Sequence, residues 1–466
     1  MNSKLVSLFC CLIMLVSFSG CTKVTQLVKD NQPTKAELLA EINEEHQRWE
    51  AAPAADPTPY LRHYDDPADA QKYFDYVTDT YSEYNAAKEL SLEEAEEDVN
   101  YLFDAFYYDF AFYDYFGGHT VFDQAKAEIL QELQAKDNLT CKDLQEVLVK
   151  HLTFIKDGHF NINHNFPAEK EIPFFFRQVM FVKTDSGYQD SKGKTVVSVD
   201  GHPDLDTLFK RSISEQGYLV YYPVLLKPAT FDGTEWEKHT CDETLTVHYT
   251  DGSTDTLTAD TWSQYYKELP KDQNTDLRQT DGIPVFQFNS FDGSFLQEVN
   301  AAAAQMSDAA ISMLDLRSNV GGYEEVAHQW ITRYSRQRVQ GNGVRYDVVN
   351  PVSVAIQAHR WQTHDNILIL LSGKCSASSA EITMDLAYNL ENSLIIGENT
   401  NGCMIGNGGH VELPNSKCSV IMTSACVYLL PEGADYFEEM RGLSPDIWVP
   451  AKEAETLAAK LMENLK

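Results

Sequence analysis

Apolar positions change their spacing several times along this chain. Leu5 to Phe18 is an almost unbroken apolar run. From Lys35 to about Lys156, apolar residues recur at three- and four-residue steps, the spacing of helices that bury one face. The clearest case opens at Ser91, where Glu94 completes a capping box. It runs through Val99, Leu102, Phe103, Phe106, Phe110 and Tyr113, and Gly117-Gly118 is expected to end it. A further helix is expected over about Cys141 to Ile155, leading into Lys156-Asp157-Gly158-His159.

From residue 160 to about 280 the pattern becomes short strand-like runs cut by turn residues. Lys194 to Val199 runs into Asp200-Gly201, and a short helical pattern follows around Leu205 to Ser214. Leu245, Val247 and Tyr249 alternate with polar residues before Asp251-Gly252, a hairpin signal. From Gly282, strand and helix alternate. Strands are expected at Val285–Phe288, Ile311–Leu316, Ile367–Leu371 and Leu394–Ile396. Helices are expected at Phe295–Met306, Tyr323 to about Tyr334, and again after the elbow at Ser376–Ala380, where Ile382, Leu386 and Leu390 are four apart. Val411 to Leu430 reads as strands and Ala451 to Lys466 as a closing helix. The apolar strand runs imply a sheet buried on both faces, as in α/β domains.

The chain has 466 residues, enough for several domains, and 43% are hydrophobic. A net charge of -33 argues against nucleic acid as a partner, because phosphate binding needs a basic surface. Lys4, the apolar run and Ser19-Gly20-Cys21 form an export segment. Small residues directly before a cysteine resemble the lipobox of bacterial lipoproteins, which implies cleavage before Cys21 and lipid on it. The expected location is therefore the cell envelope, as a membrane-anchored lipoprotein facing the periplasm or the outer surface. Beyond the export segment the cysteines are Cys141, Cys241, Cys375, Cys403, Cys418 and Cys426, with no metal-ligand spacing. Export permits disulfides, and sequence does not give a pairing.

Chemistry concentrates in two turns. The strand at Ile367 ends in Ser376-Ala377-Ser378-Ser379-Ala380 and then a helix. A serine there presents its hydroxyl at a sheet edge beside helix N–H groups that can hold an oxyanion. Ser378-Ser379-Ala380-Glu381 equally fits a capping box. The second turn, Asp315 to Gly322, ends in two glycines whose backbone can approach a ligand.

Taken in order, D-L-R-x-N-x-G-G (Asp315 to Gly322), S-A-S-x-x-E (Ser376 to Glu381), G-E-x-T-x-G (Gly397 to Gly402) and G-x-x-P-D-I (Gly442 to Ile447) form an ordered set. Over about residues 282 to 450 the chain thereby resembles the carboxyl-terminal processing (tail-specific) serine peptidases. The resemblance implies a ClpP/crotonase-like α/β domain. It implies Ser378 as nucleophile, with an oxyanion hole from the N–H of Ser379 and of Gly321 or Gly322. The lysine base of that branch would stand 25 residues after Ser378, where this chain has Cys403. A related branch, similar to the tricorn core proteases, takes its base from a histidine in the amino-terminal half; Lys156-Asp157-Gly158-His159 resembles the turn that carries it, which implies His159. It also uses a glutamate shortly before G-x-x-P-D, which implies Glu439, with Glu438 as the alternative. That branch has serine immediately before its histidine; here Gly158 stands there. Val196 to Gly201 resembles the I-x-x-I-N-G run of PDZ domains.

The expected organisation is multidomain α+β: a signal peptide at 1–20, a lipidated tether at 21–34, a helical domain at 35–165, a PDZ-like β module at 166–280 and an α/β serine peptidase domain at 281–466. The leading expectation is an exported serine endopeptidase acting on peptide or protein by acyl transfer through Ser378, His159 and Glu439, with no metal or cofactor. The alternative is a catalytically silent relative that binds peptide or another ligand in the same cleft. An esterase-like hydrolase would use similar chemistry, but G-x-S-x-G is lacking.

Overall fold

The computed structural model describes residues 25–465 apart from 51, 54, 232–237, 270–272, 350–360 and 425. The export segment and Cys21 lie outside the described residues. Among the described residues, no helix is long and apolar enough to cross a membrane, and the six cysteines are free thiols.

The apolar runs from Gly282 onward pair in parallel, in the spatial order Ile283–Phe288, Ile311–Asp315, Ile367–Ser372, Ser393–Gly397, Ile447–Trp448. Thr275–Thr280 adds an antiparallel edge. Alternate side chains serve the two faces. Leu314, Leu368 and Leu370 pack with helices Leu296–Met306, Glu324–Ser335 and Ser379–Ala387 on one side. Met313, Ile369 and Leu371 pack with Lys35–Gln47 and Ala454–Asn464 on the other. A strand covered on both faces needs no polar positions, which is why Ile367–Ser372 is apolar almost throughout.

The β region does not stand apart as a self-contained module. Phe209–Ile213, expected to be helical, is a strand that lies parallel to Ile447–Trp448 through Ser212 and Trp448. Only Leu205–Leu208 is helical there. The sheet continues through Leu219–Ala229, Phe181–Thr184 and Gly187–Asp190. Lys170–Phe175 also pairs with Leu219–Ala229, making 11 strands. Val196–Val199, Thr244–Tyr249 and Thr254–Thr258 form a separate small sheet that includes the expected Asp251-Gly252 hairpin.

The helix opened by the Ser91–Glu94 capping box spans Leu92–Asp109. It stops before Gly117 because the Asp109 carboxylate accepts N–H bonds from Phe74 and Tyr76, while the Ala111 N–H donates to Thr423 O. Gly117-Gly118 instead opens the helix Gly118–Gln134. The helix after it spans Cys141–His151, shorter than expected. The helical region shares its core with the C-terminal half: Phe106, Phe110, Phe122 and Leu148 pack with Val411, Val420 and Met422 of the strands Gly408–Glu412 and Ser419–Thr423. Asn161–Ile162 pairs directly with Ser419–Thr423. The tether is also shorter than expected. Gln26–Asp30 is helical, and Val28 is buried against Met180, Val182, Val220 and Tyr222. The Gln32 amide both donates to and accepts from the Leu219 backbone.

Candidate active site

Three serines crowd the elbow after Ile367–Ser372, and their hydrogen bonds separate them. Ser376 is fully buried; its Oγ accepts from Gly373 N at 3.0 Å and donates to Leu316 O at 2.8 Å. Ser379 Oγ donates to Gly322 O at 2.7 Å. Ser378 is partly exposed; its side chain faces the Glu381 N–H as in a capping box, and among the described residues its hydroxyl donates to no group. Its backbone is held at φ 53°, ψ -115°, a region that costs free energy for any residue but glycine. The turn thus turns one hydroxyl out and ties down its neighbours.

Glu381 does more than cap. Its fully buried carboxylate accepts from Ser378 N at 3.0 Å, Gly402 N at 2.7 Å, Cys403 N at 3.0 Å and Thr400 Oγ1 at 2.5 Å. The capping glutamate therefore binds the Asn399–Cys403 loop to the elbow. Burial pushes the Cys403 thiol well above its ordinary range, and Glu381 adds to the effect. A neutral thiol at that position does not replace a lysine base.

Gly321 and Gly322 bring their turn against the elbow: a Cβ on Gly321 would lie 2.9 Å from Ala377 O and 2.9 Å from Ser378 Cβ. The Gly321 N–H, however, donates to Asn319 Oδ1 at 2.8 Å. The N–H groups of Gly322 and Ser379 have no acceptor among the described residues. Of the two glycines, the structure leaves Gly322 with the free donor.

The D-G-H turn packs on the same loop. A Cβ on Gly158 would lie 2.0 Å from Gly402 O and 2.6 Å from Cys403 Cβ. No serine fits there; the glycine at 158 and the chain at 402–403 fill one another's space. Asp157 is buried, its Oδ1 accepting His159 N at 3.0 Å and its Oδ2 accepting Thr423 N at 3.0 Å. The same Oδ1 lies 3.8 Å from His159 Nδ1, which is buried and has no hydrogen-bond partner. Burial holds His159 below its ordinary range; Asp157 opposes that, Lys170 reinforces it, and Glu381 opposes it more weakly.

Glu439 reaches the turn without touching the imidazole. Its carboxylate accepts Gly158 N at 2.8 Å and Ile405 N at 3.3 Å. Burial, then the neighbouring Asp157 and Glu381, push it well above the usual carboxylate range. Glu438 is exposed and pairs with Arg441. Glu439, Tyr60, Phe112, Tyr115 and Ile405 line a cleft of about 1000 Å³ on the other side of the turn. Asp157, Glu381 and Lys170 carry no assignment from sequence. For the first two the signal was their place inside the D-G-H and S-A-S-x-x-E runs; for Lys170 there was none.

The remaining motif residues are structural. Arg317 is buried against Asp315, Glu455 and Ala451 O, tying the glycine turn to the last helix. Asp446 accepts from Ile395 N at 2.7 Å and lies 2.8 Å from His46 Nε2.

Residues 282–449 match the sequence model of Peptidase family S41. No curated protein matches the chain. Solved structures that resemble it include mature CPAF, at 12% identity over 80% of this chain and 96% of that one, with a TM-score of 0.41. The photosystem II D1 C-terminal processing protease is similar at 14% identity over 80% and 97%, with a TM-score of 0.37. The tricorn protease is similar at 12% identity over 80% of this chain and 37% of that one, with a TM-score of 0.37.

Proposed function

We propose, from the match of residues 282–449 to Peptidase family S41, an exported serine-type endopeptidase that cleaves peptide or protein substrates through an acyl-enzyme. The observation that carries this reading is the elbow itself, where Ser378 alone among three serines has a free, partly exposed hydroxyl on a strained backbone.

Ser378 Oγ attacks the scissile carbonyl carbon, and its proton passes to His159 Nε2. The oxyanion is held by the N–H of Ser379 and Gly322, with Gly321 shaping the turn. Collapse of the tetrahedral intermediate breaks the C–N bond, and His159 returns the proton to the leaving amine. A water, deprotonated by the same imidazole, then attacks the acyl carbonyl and regenerates Ser378. Asp157 faces Nδ1 and steadies the imidazolium. Glu439 acts one step back, by holding the Gly158 backbone.

The five-part division of the chain stands as part of this proposal, as do lipid on Cys21 and a cell-envelope location. The β region, read as PDZ-like, has a structural role in it. A serine-reactive fluorophosphonate tests the nucleophile: wild type labels and Ser378→Ala does not. Equal labelling of the two would remove Ser378 from the mechanism. Digestion of a diverse peptide library should yield internal cleavages that vanish in Ser378→Ala.

One observation favours a second reading. Among the described residues, no hydrogen bond joins Ser378 Oγ to the His159 ring, His159 Nδ1 has no partner, and the Glu439 carboxyl goes to backbone N–H groups instead of the imidazole. A silent relative that holds peptide in the same cleft would show this, and would bind library peptides without cutting or labelling.

A further inference from the structure

Lys170 opens the strand Lys170–Phe175 and is only 2% exposed. Among the described residues, no carboxylate comes within ion-pair distance of it. A buried ammonium without a counter-ion is costly, and the surrounding hydrogen bonds must offset several kcal/mol. Its Nζ donates to Gly158 O at 2.9 Å and to Asn401 Oδ1, and lies 4.5 Å from the Phe166 ring centroid.

Those two acceptors belong to the two halves of the catalytic apparatus. Gly158 O is the carbonyl of the peptide group whose N–H belongs to His159, and that N–H donates to Asp157. Asn401 belongs to the elbow: its N–H donates to Ser376 O at 2.8 Å, and its Nδ2 donates to Lys374 O at 3.1 Å. One nitrogen atom therefore spans from the histidine turn to the serine turn. The Gly158 backbone is gripped on both sides, with the Glu439 carboxyl on its N–H and the Lys170 ammonium on its C=O.

We propose that Lys170 is a positioning residue for the reaction, an ammonium that fixes the His159 turn against the Ser378 elbow. Its positive charge also disfavours a second one on the imidazole. The proposal rests on the reading of His159 as base. The charged and titratable groups facing His159 are Asp157 on its own turn, Lys170 on the strand beside it, Glu381 on the helix after Ser378, and, through Gly158, Glu439 and Cys403. Two carboxylates near the ring favour the imidazolium; Lys170 is the cation that opposes them.

The test is fluorophosphonate labelling across pH 5 to 9, joined to NMR titration of the His159 ring in a Ser378→Ala background. Lys170→Met should slow labelling by roughly 100-fold, the cost of a small misplacement of reacting groups. With the opposing cation gone, its acid limb and the ring titration should move upward by at least about half a pH unit. Lys170→Arg should hold the acid limb near the wild-type position and recover part of the rate. Asn401→Ala keeps the charge and cuts the bridge, so it should slow labelling about tenfold with the limb unmoved. A folded Lys170→Met whose limb and ring titration match wild type overturns the proposal, as does full labelling by Asn401→Ala. Should Lys170→Met fail to fold, Lys170→Arg and Asn401→Ala decide by the same criteria. If wild type never labels, the catalytic reading fails by itself, and the ring titration still judges the effect of Lys170 on His159.

Discussion

A methyl group on Gly158 would be driven to 2.0 Å from Gly402 O, a backbone atom with nowhere to go. Gly158→Ala should cost about 1–3 kcal/mol, the usual penalty of overpacking, and should slow labelling further by shifting His159. Thermal unfolding and labelling rates measured on one preparation check both parts. Restoring the serine of the related branch, Gly158→Ser, is expected to harm rather than help. The imidazole carries a second prediction. Because burial holds His159 below its ordinary pKa of about 6.5, labelling should persist into mildly acid solution and fall at a midpoint under that value. Asp157 favours the imidazolium, so Asp157→Asn should lower the rate and move the acid limb further down. Glu439→Gln, which leaves the ring's neighbours in place, should move the limb little. At this scale the sequence was legible in part. Ser378 and His159 stood out because their runs are ordered along the chain. Gly321 and Gly322 cannot be ranked as donors from their letters, because only the fold shows Asn319, two residues earlier, bending back on the Gly321 N–H. Glu438 and Glu439 are indistinguishable as letters; only packing turns one out and the other in.

Helix Ser379–Ala387 is wholly buried, and its charged first turn is the element that fastens the site. Glu381 accepts four hydrogen bonds, from Ser378, Thr400, Gly402 and Cys403. Glu381→Leu would strand those buried donors, each worth about 1–3 kcal/mol. The expected loss is at least about 3 kcal/mol, to be read from denaturant unfolding, with labelling abolished even where the variant is folded. Were Glu381 only a helix cap, the loss would be near 1 kcal/mol. The strands and helices after Gly282 were readable because apolar runs of strand length alternate with helical periods. Phe209–Ile213 was not, since Lys210 and Arg211 stand at its centre and a four-residue helix precedes it. Nothing local shows that this strand lies against Trp448.

Across the whole molecule, the three expected regions are welded rather than strung together. The helical region shares its core with the Gly408–Thr423 strands, and the β region extends the central sheet. This long-range pairing is what packs the His159 turn on Gly402 and Cys403, the loop that Glu381 ties to the Ser378 elbow, and spacing along the chain cannot reveal it. Glu398 reports on the weld. Its buried carboxyl accepts Trp262 Nε1–H at 2.9 Å from the β region and Ala451 N at 2.8 Å from the C-terminal end. Burial pushes it up to about 7. The folded state thus holds this proton more tightly than the unfolded chain. The penalty is absent below the ordinary carboxyl range, grows as pH rises through the window up to about 7, and is constant above it. Glu398→Gln should flatten that part of the stability profile, as followed by unfolding at pH 5 and pH 8; an unchanged slope would show that Glu398 is not its source.

The helix Gln26–Asp30 seats Val28 on one face of the sheet, over Phe181–Thr184 and Leu219–Ala229. Three residues lie between Cys21 and Thr25, so the four links from one to the other make a leash of at most about 14 Å at full stretch. An acyl group on Cys21 would leave the body no freedom to drift from the bilayer. That face of the sheet would ride near headgroup height, and the body would meet chains that emerge from the membrane or lie along it before those in the open compartment beyond.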